Sequence, residues 1–349
     1  LDKRARSYLD VNCSACHRDG GARSQLFAEF HRTADPAALS VKPSQGDFGI
    51  ANARIVAPGD PFGSVLYYRV AKLGQGRMPF VGAHEQDREG MELLRQWISQ
   101  MRPEGDDRRQ ADDAASERIA ELTTETFPPG DSRTESAIAA LLGDTRSAFA
   151  LWQSINDGAI GEPLRSEIIA RANASESAAV RDLYEWFIDA EHRTQRLGAN
   201  FDPMLVLQQP GDAERGRALY ADKQTLSCGN CHATEPQQPS IGPNLADIGR
   251  KLTRHELLQH IVNPSLRIDP QYAVWTVETS AGQLLSGMLA SRTDDEIVLR
   301  DDKGQEHRIS ADDVEFMQKQ PRSLMPDQLL QSLTPSQAAD LLSFLRSLK

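Results

Sequence analysis

Cys13–His17 reads CSACH and Cys228–His232 reads CGNCH, and these two pentads use all four cysteines of the 349-residue chain. Two cysteines three apart on a turn present both thiols on one side, and the histidine that follows supplies a nitrogen beside them. Cys-x-x-Cys-His reads as c-type haem attachment, with each thiol adding across a haem vinyl group and His17 or His232 giving the proximal nitrogen. Zinc would want four protein ligands, and no second Cys or His pair flanks either motif. A redox Cys-x-x-Cys has no need of histidine next in line, still less twice. The sequence therefore predicts two haem c groups, held by Cys13, Cys16 and His17 and by Cys228, Cys231 and His232.

The sixth ligand decides between electron transfer and catalysis. Of seven methionines, Met78 in GRMPF and Met325 in SLMPD stand in matching contexts, each before a proline that breaks a helix and suits an extended loop. The residues downstream of them also match. Nine residues on are Asp87 and Thr334, both good helix N-caps, the latter with Pro335 and Gln337 in capping positions. Sixteen, nineteen and twenty residues on are Leu94, Trp97 and Ile98 in one copy and Leu341, Phe344 and Leu345 in the other. The same apolar helical face recurs in the same register from the same methionine, an internal repeat. Met78 and Met325 are thus the expected axial ligands. Met288 and Met317 are rivals in the second copy and His84 in the first; Met91, Met101 and Met204 are expected as core fillers. His31, His192, His255, His260 and His307 have no repeat partner and read as surface or capping residues.

Other classes recede on composition. No run approaches 18 apolar residues, which excludes a spanning helix. A net charge of −11 argues against nucleic acid or an anionic membrane as partner. Neither a phosphate loop nor a dinucleotide fingerprint is present. Haem is attached after export, so an extracytoplasmic location is expected. The chain opens on LDKRARSYLDV without a signal peptide, as a mature form or a segment of a longer polypeptide would.

Spacing sets the organisation. His17 and Met78 are 61 residues apart, His232 and Met325 are 93. Much of the excess falls in 272–310, where VWTVET, QLLSGMLA, EIVLRD and EHRIS read as short strands between turn signals. This block predicts a small antiparallel β-meander inserted before the second methionine loop. Between the copies, 103–133 reads as an acidic, solvated linker that turns helical near Ile119–Leu122. Then 134–204 carries four helical stretches, ESAIAALL, SAFALWQSIN, PLRSEIIARA and AAVRDLYEWFIDA, with Asp and Gly as punctuation. Trp152, Tyr184 and Trp186 are expected in its core.

Each motif-bearing part, 1–102 and 205–349, resembles a class I cytochrome c domain, with a helix, Cys-x-x-Cys-His, a variable loop, a Met-Pro loop and a closing helix. The second, on PGDAERGRALY, CGNCH, GPNLADIGRKL, the β-block and LTPSQAADLLSFLRSL, resembles the Planctomycete/Verrucomicrobium-type haem-binding domain of extracytoplasmic dehydrogenase-like proteins. The first, on YLDVNCSACHRDGG and VAPGDPFGSVLYYRV, resembles haem domains appended to quinoprotein-type sugar dehydrogenases. The paired helices of 134–204 resemble HEAT-like repeats. The resemblance implies that the Pro243 carbonyl in GPNL receives the His232 ring N–H; the first copy has no proline at the corresponding place. The expected fold is mainly α, two cytochrome c-like domains joined by a helical segment, with a β insertion in the second. The expected role is electron transfer to or from a redox partner protein or an upstream dehydrogenase domain, rather than catalysis by the chain itself. The alternative is a dihaem cytochrome c peroxidase, which would keep one iron open to peroxide.

Overall fold

The computed structural model describes residues 1–18, 26–43, 46–79, 85–102, 109–124, 131–222, 226–301 and 304–349. The chain forms two compact units, Leu1–Thr194 and Gln195–Lys349. It is mainly α-helical, with a single small antiparallel sheet among the described residues.

The first unit opens with α1 (Asp2–Cys13), followed by α2 (Val65–Ala71) and α3 (Arg88–Gln100). Asp87 caps α3 by accepting the Gly90 N–H at 2.9 Å, which fixes where the helix starts after the methionine loop. The expected apolar face is buried: Leu94, Trp97 and Ile98 are inside with Met91. α1 lays Ala5 and Leu9 into the same core, and Trp97 Nε1 donates to Asp2 Oδ1 at 2.9 Å across the two helices.

Five further helices come next: α4 (Arg109–Thr124), α5 (Ser132–Leu142), α6 (Thr145–Asn156), α7 (Leu164–Asn173) and α8 (Ala178–Tyr184). Asp131, Asp144 and Ser177 cap α5, α6 and α8 with side-chain acceptors. The last expected stretch ends early as regular α-helix, passing into a 3-10 turn at Glu185–Phe187.

Two expectations are corrected by the fold. The helix expected near Ile119–Leu122 is present, but it extends over Arg109–Thr124 as the 16-residue α4 in what read as a solvated linker. Its Ala115 and Leu122 are buried, with Ile119 packed against them, so an i, i+4, i+7 apolar stripe lies hidden in a charge-rich sequence. The segment 134–204 is also not a body of its own. Up to Thr194 it shares one core with the first motif-bearing part. Phe149 of α6 packs between Tyr67 (4.9 Å between ring centroids) and Tyr68 (5.6 Å), and the Tyr67 hydroxyl donates to Gln153. Trp152 and Tyr184 are fully buried in that core, as expected, while Trp186 is half-buried.

In the second unit, α9 (Ala213–Ala221) precedes the CGNCH turn and α10 (Arg254–Val262) comes after it. Then come β1 (Val274–Thr279), β2 (Leu284–Arg292), β3 (Glu296–Arg300), β4 (Glu306–Ser310) and β5 (Val314–Lys319), and last α11 (Pro335–Ser347). The sheet order is β4-β3-β2-β1-β5, all pairs antiparallel. The first four strands are the expected meander. The fifth lies beyond the 272–310 block and returns to pair with β1. Val277, Ile297, Leu299 and Ile309 make a small core of their own for the sheet.

Thr334 begins α11 with a reciprocal capping box to Gln337 and Pro335 in the first turn. Leu341, Phe344 and Leu345 are buried, the counterparts of the α3 face. α9 crosses α11 closely: a Cβ on Gly216 would overlap the Asp340 carbonyl and lie 2.8 Å from Phe344 Cβ. The buried Asp340 carboxylate receives Arg215 Nε at 2.7 Å and the Asp212 N–H at 2.6 Å, which pins the start of α9 to α11.

Gly216→Ala is expected to lower the unfolding free energy by about 1–3 kcal/mol, the usual cost of overpacking a tight contact. Gly161→Ala, with open space around the site, should stay within about 0.5 kcal/mol of wild type. Urea unfolding of the two variants checks both values.

Candidate functional site

The two Cys-x-x-Cys-His segments fold into the same tight turn. In the first unit Cys16 N–H and His17 N–H both bond the Cys13 carbonyl, at 3.1 and 2.8 Å. In the second, Cys231 N–H and His232 N–H bond the Cys228 carbonyl at 3.2 and 3.0 Å. The turn in the first unit is a consequence of position: α1 ends at Cys13 and leaves its last carbonyl open, and the chain folds back onto it. All four thiols are free of disulfides. Burial pushes the Cys13 and Cys228 thiols up to about 11.

His232 is held on several sides. Its Nδ1 lies 2.8 Å from the Pro243 carbonyl oxygen, the contact the resemblance implied. A carbonyl only accepts, so Nδ1 must carry the proton and Nε2 keeps a free lone pair. The Tyr220 hydroxyl donates to the His232 carbonyl at 2.7 Å, and Gly242 N–H donates to Cys231 O at 2.7 Å. Gly242 lies flat against the ring: a Cβ there would come 2.8 Å from Cε1 and 3.1 Å from Nδ1. Asn244 ties the loop together, its amide donating to the Glu235 and Gln238 carbonyls at 2.8 and 3.1 Å. Burial lowers the His232 pKa, against a smaller opposing pull from Pro243, so the ring is biased to the neutral form that binds metals.

His17 is held differently. Its Nδ1 is buried without a hydrogen-bond partner. Burial lowers its pKa as well; the Leu26 backbone pulls the other way without closing a bond to Nδ1, and the Arg69 charge adds to the lowering. The Pro243 contact therefore has no equivalent at His17 Nδ1.

Met78 and Met325 each lie in the same compact unit as their histidine. Met78 is half-buried at the end of a loop that leaves α2, and its N–H bonds the Arg69 carbonyl at 2.9 Å. Met325 is half-buried between β5 and α11, its N–H bonded to Ser323 Oγ at 3.1 Å. The rival methionines belong to the sheet: Met288 sits in β2 opposite Val274, and Met317 in β5 opposite Val277, packed on the sheet core. His84 lies outside the described residues. Met91 and Met101 pack in the first core, whereas Met204 is 47% exposed and is not the core filler expected of it. His31, His192, His255 and His260 are exposed, and His307 pairs with Asp301 at 3.0 Å. Asp189, Glu191 and His192 bring ligand atoms within 4.8 Å of one another, but all three are exposed and solvated.

Sequence reasoning missed Gly242, Tyr220 and Arg69. Gly242 stood in the quoted GPNL, but only the fold shows that its missing side chain makes room for a ring. Tyr220 lies eight residues before Cys228, and the helical turn of α9 brings it back over the motif. The donor set fits a haem c: paired free thiols on one turn, a neutral imidazole beside each pair, and a ring proton committed to Pro243 in one copy.

The His232 ring N–H should exchange with solvent about fivefold more slowly than that of His17, from a hydrogen bond worth ~1 kcal/mol. Gly242→Ala should erase that difference by pushing the ring off Pro243. Side-chain nitrogen NMR of the two histidines measures it.

Compared with known proteins, the chain matches no protein-family model and no curated sequence.

Proposed function

We propose that the chain transfers electrons through two covalently held c-type haems. His17 and Met78 would ligate one iron, His232 and Met325 the other. Cys13 and Cys16, and Cys228 and Cys231, would hold the two groups by thioether bonds. The observation that carries this reading is the repeated Cys-x-x-Cys-His turn with free thiols, its second histidine fixed by Pro243 in the tautomer a ligand requires. When bound, haem iron supplies one-electron chemistry between its ferrous and ferric states.

The chain's own part is to keep each centre unchanged as the electron arrives and leaves. Half-buried imidazoles biased to the neutral form would meet a metal without first losing a proton. Pro243 and Gly242 hold the His232 ring at one angle, the kind of outer support that tunes a metal ligand. The N-caps of the closing helices, Asp87 and Thr334, stand nine residues after Met78 and Met325, which fixes the length of each ligand loop. Two methionines in equivalent register favour six-coordinate carriers over a peroxidase with an open iron.

The same reading extends to context. The second unit, with its β-sheet ahead of the methionine loop, keeps its likeness to the Planctomycete-type haem domain as part of the proposal, and the helices after α4 keep theirs to HEAT-like repeats. An extracytoplasmic site of action and a redox partner, either a separate protein or an upstream dehydrogenase domain, go with it. The acidic surface suits a basic partner, whose association would weaken as salt screens the attraction. Among the described residues, no helix is long and apolar enough to cross a membrane.

Intact-mass measurement after acid–acetone extraction is expected to retain two haem masses. The double variants Cys13→Ser/Cys16→Ser and Cys228→Ser/Cys231→Ser should each retain one. A bare-polypeptide mass for the wild type would overturn the reading. Rapid peroxide turnover with one high-spin iron would replace it with the peroxidase.

A further inference from the structure

The loop that carries Met78 is gripped by a part of the chain outside the repeated haem unit. Residues 68–77 run alongside 179–186, with contacts in step. The Tyr68 hydroxyl donates to the Ala179 carbonyl at 2.7 Å. Lys72 Nζ lies 2.7 Å from Asp182 Oδ2, with side-chain exposures of 2% and 12%. One residue on, Leu73 N–H donates to the Asp182 carbonyl at 2.7 Å. At the end nearest Met78, the Arg77 guanidinium lies 4.8 Å over the Trp186 ring. Arg193 stands 5.1 Å from that ring, its Nε bonded to the Glu185 and Ile188 carbonyls at 2.9 and 3.0 Å. Trp186 is thus tied to its own segment by Arg193 and reaches the methionine loop through Arg77.

The loop has little regular structure of its own with which to resist this grip. Between α2 and Met78 it runs KLGQGR, and its internal ties include Lys72 Nζ to Gln75 O, Arg69 Nη1 to Gly76 O at 2.8 Å, the Arg77 N–H to Gly74 O at 3.2 Å, and the Met78 N–H to Arg69 O. A buried ion pair holds its geometry firmly, because moving either charge away leaves the other unpaired in a poor solvent. Cation–ring contact is directional and suits a guanidinium held flat.

We propose that the segment Ala178–Phe187 is a brace for the axial methionine of the first haem, with Asp182 and Trp186 as its positioning residues. This rests on the reading of Met78 as a ligand. The second motif-bearing unit, Gln195–Lys349, contains no counterpart of this segment among its described residues, so the brace sets the first centre apart from the second.

The test uses the full chain carrying both haems and reads the far-red charge-transfer absorption of ferric, methionine-ligated haem. Met78→Ala should remove about half of it, one of two Met–iron bonds. Asp182→Asn and Trp186→Leu should each reduce it towards the Met78→Ala level and lower the potential of one haem only. Combining Trp186→Leu with Met325→Ala should abolish it, whereas Trp186→Phe, which keeps a ring under Arg77, should restore most of the signal. Trp186→Leu leaves the Lys72–Asp182 ion pair intact, so its result stands even where Asp182→Asn loosens the fold. A wild-type chain without the absorption overturns the methionine reading and the brace together. An absorption halved by Met78→Ala but untouched by both Asp182→Asn and Trp186→Leu overturns the brace alone.

Discussion

In each unit the arrangement depends on one helix crossing. The helix leading into Cys-x-x-Cys-His packs on the helix that follows the unit's methionine loop, and a glycine sits between the two in both. In the second unit it is Gly216 of α9, against the α11 backbone at Asp340. In the first it is Gly90 of α3, against the Tyr8 ring of α1. Side chains hold helix axes about 8–10 Å apart in ordinary packing; Gly216 lets two helix backbones come closer, and Gly90 makes room for a tyrosine ring. Because the Cys-x-x-Cys-His turn follows one helix, at its last residue Cys13 in the first unit and seven residues past Ala221 in the second, and the methionine loop ends where the other helix begins, the crossing sets the frame in which both candidate ligands stand.

Around that frame the two units solve their remaining problems differently. The first packs α4 to α8 into one core with its motif-bearing part, where Phe149 bridges Tyr67 and Tyr68. The second adds a sheet with its own small core and a looped segment, 235–246, that comes back onto the histidine. His232 consequently has a fixed ring proton, and His17 has a ring nitrogen buried without a partner. Similar turns thus sit in unlike surroundings.

Features with a local signature were legible in the sequence. The caps at Asp87 and Thr334, the buried faces of α3 and α11, and the first four strands are written in neighbouring residues, as capping oxygens, 3.6-residue spacing and alternation bounded by turns. Features that depend on distant partners were not. Most of α4 looked like a solvated linker because its two large apolar residues, Ile119 and Leu122, are diluted among charges and alanines, and only the helices it packs against give them a purpose. β5 was missed because VEFMQK is largely exposed at a sheet edge, where β1 supplies the pairing that its own pattern does not advertise. The attachment of 134–194 to the first unit rests on contacts such as Lys72 with Asp182, 110 positions apart, which no window of sequence displays.

The edges of the sheet carry a consequence for the protein in concentrated solution. An open strand edge invites pairing with a neighbouring molecule, and charge along it is a common deterrent. β4 bears Glu306 and Arg308, interlocked with Arg300 and Glu296 of β3 at 2.9–3.1 Å. Hydrogen bonding from Arg300, aided by the charges of Arg308 and Arg300, holds the Glu306 carboxyl below its usual range. Its negative charge therefore persists to a lower pH than that of an ordinary glutamate, and is lost once the pH falls through the lowered value. The pairs that Glu306 makes with Arg300 and Arg308 should outlast, as the pH falls, those of a carboxylate without such partners, and keep that edge charged against a neighbouring strand.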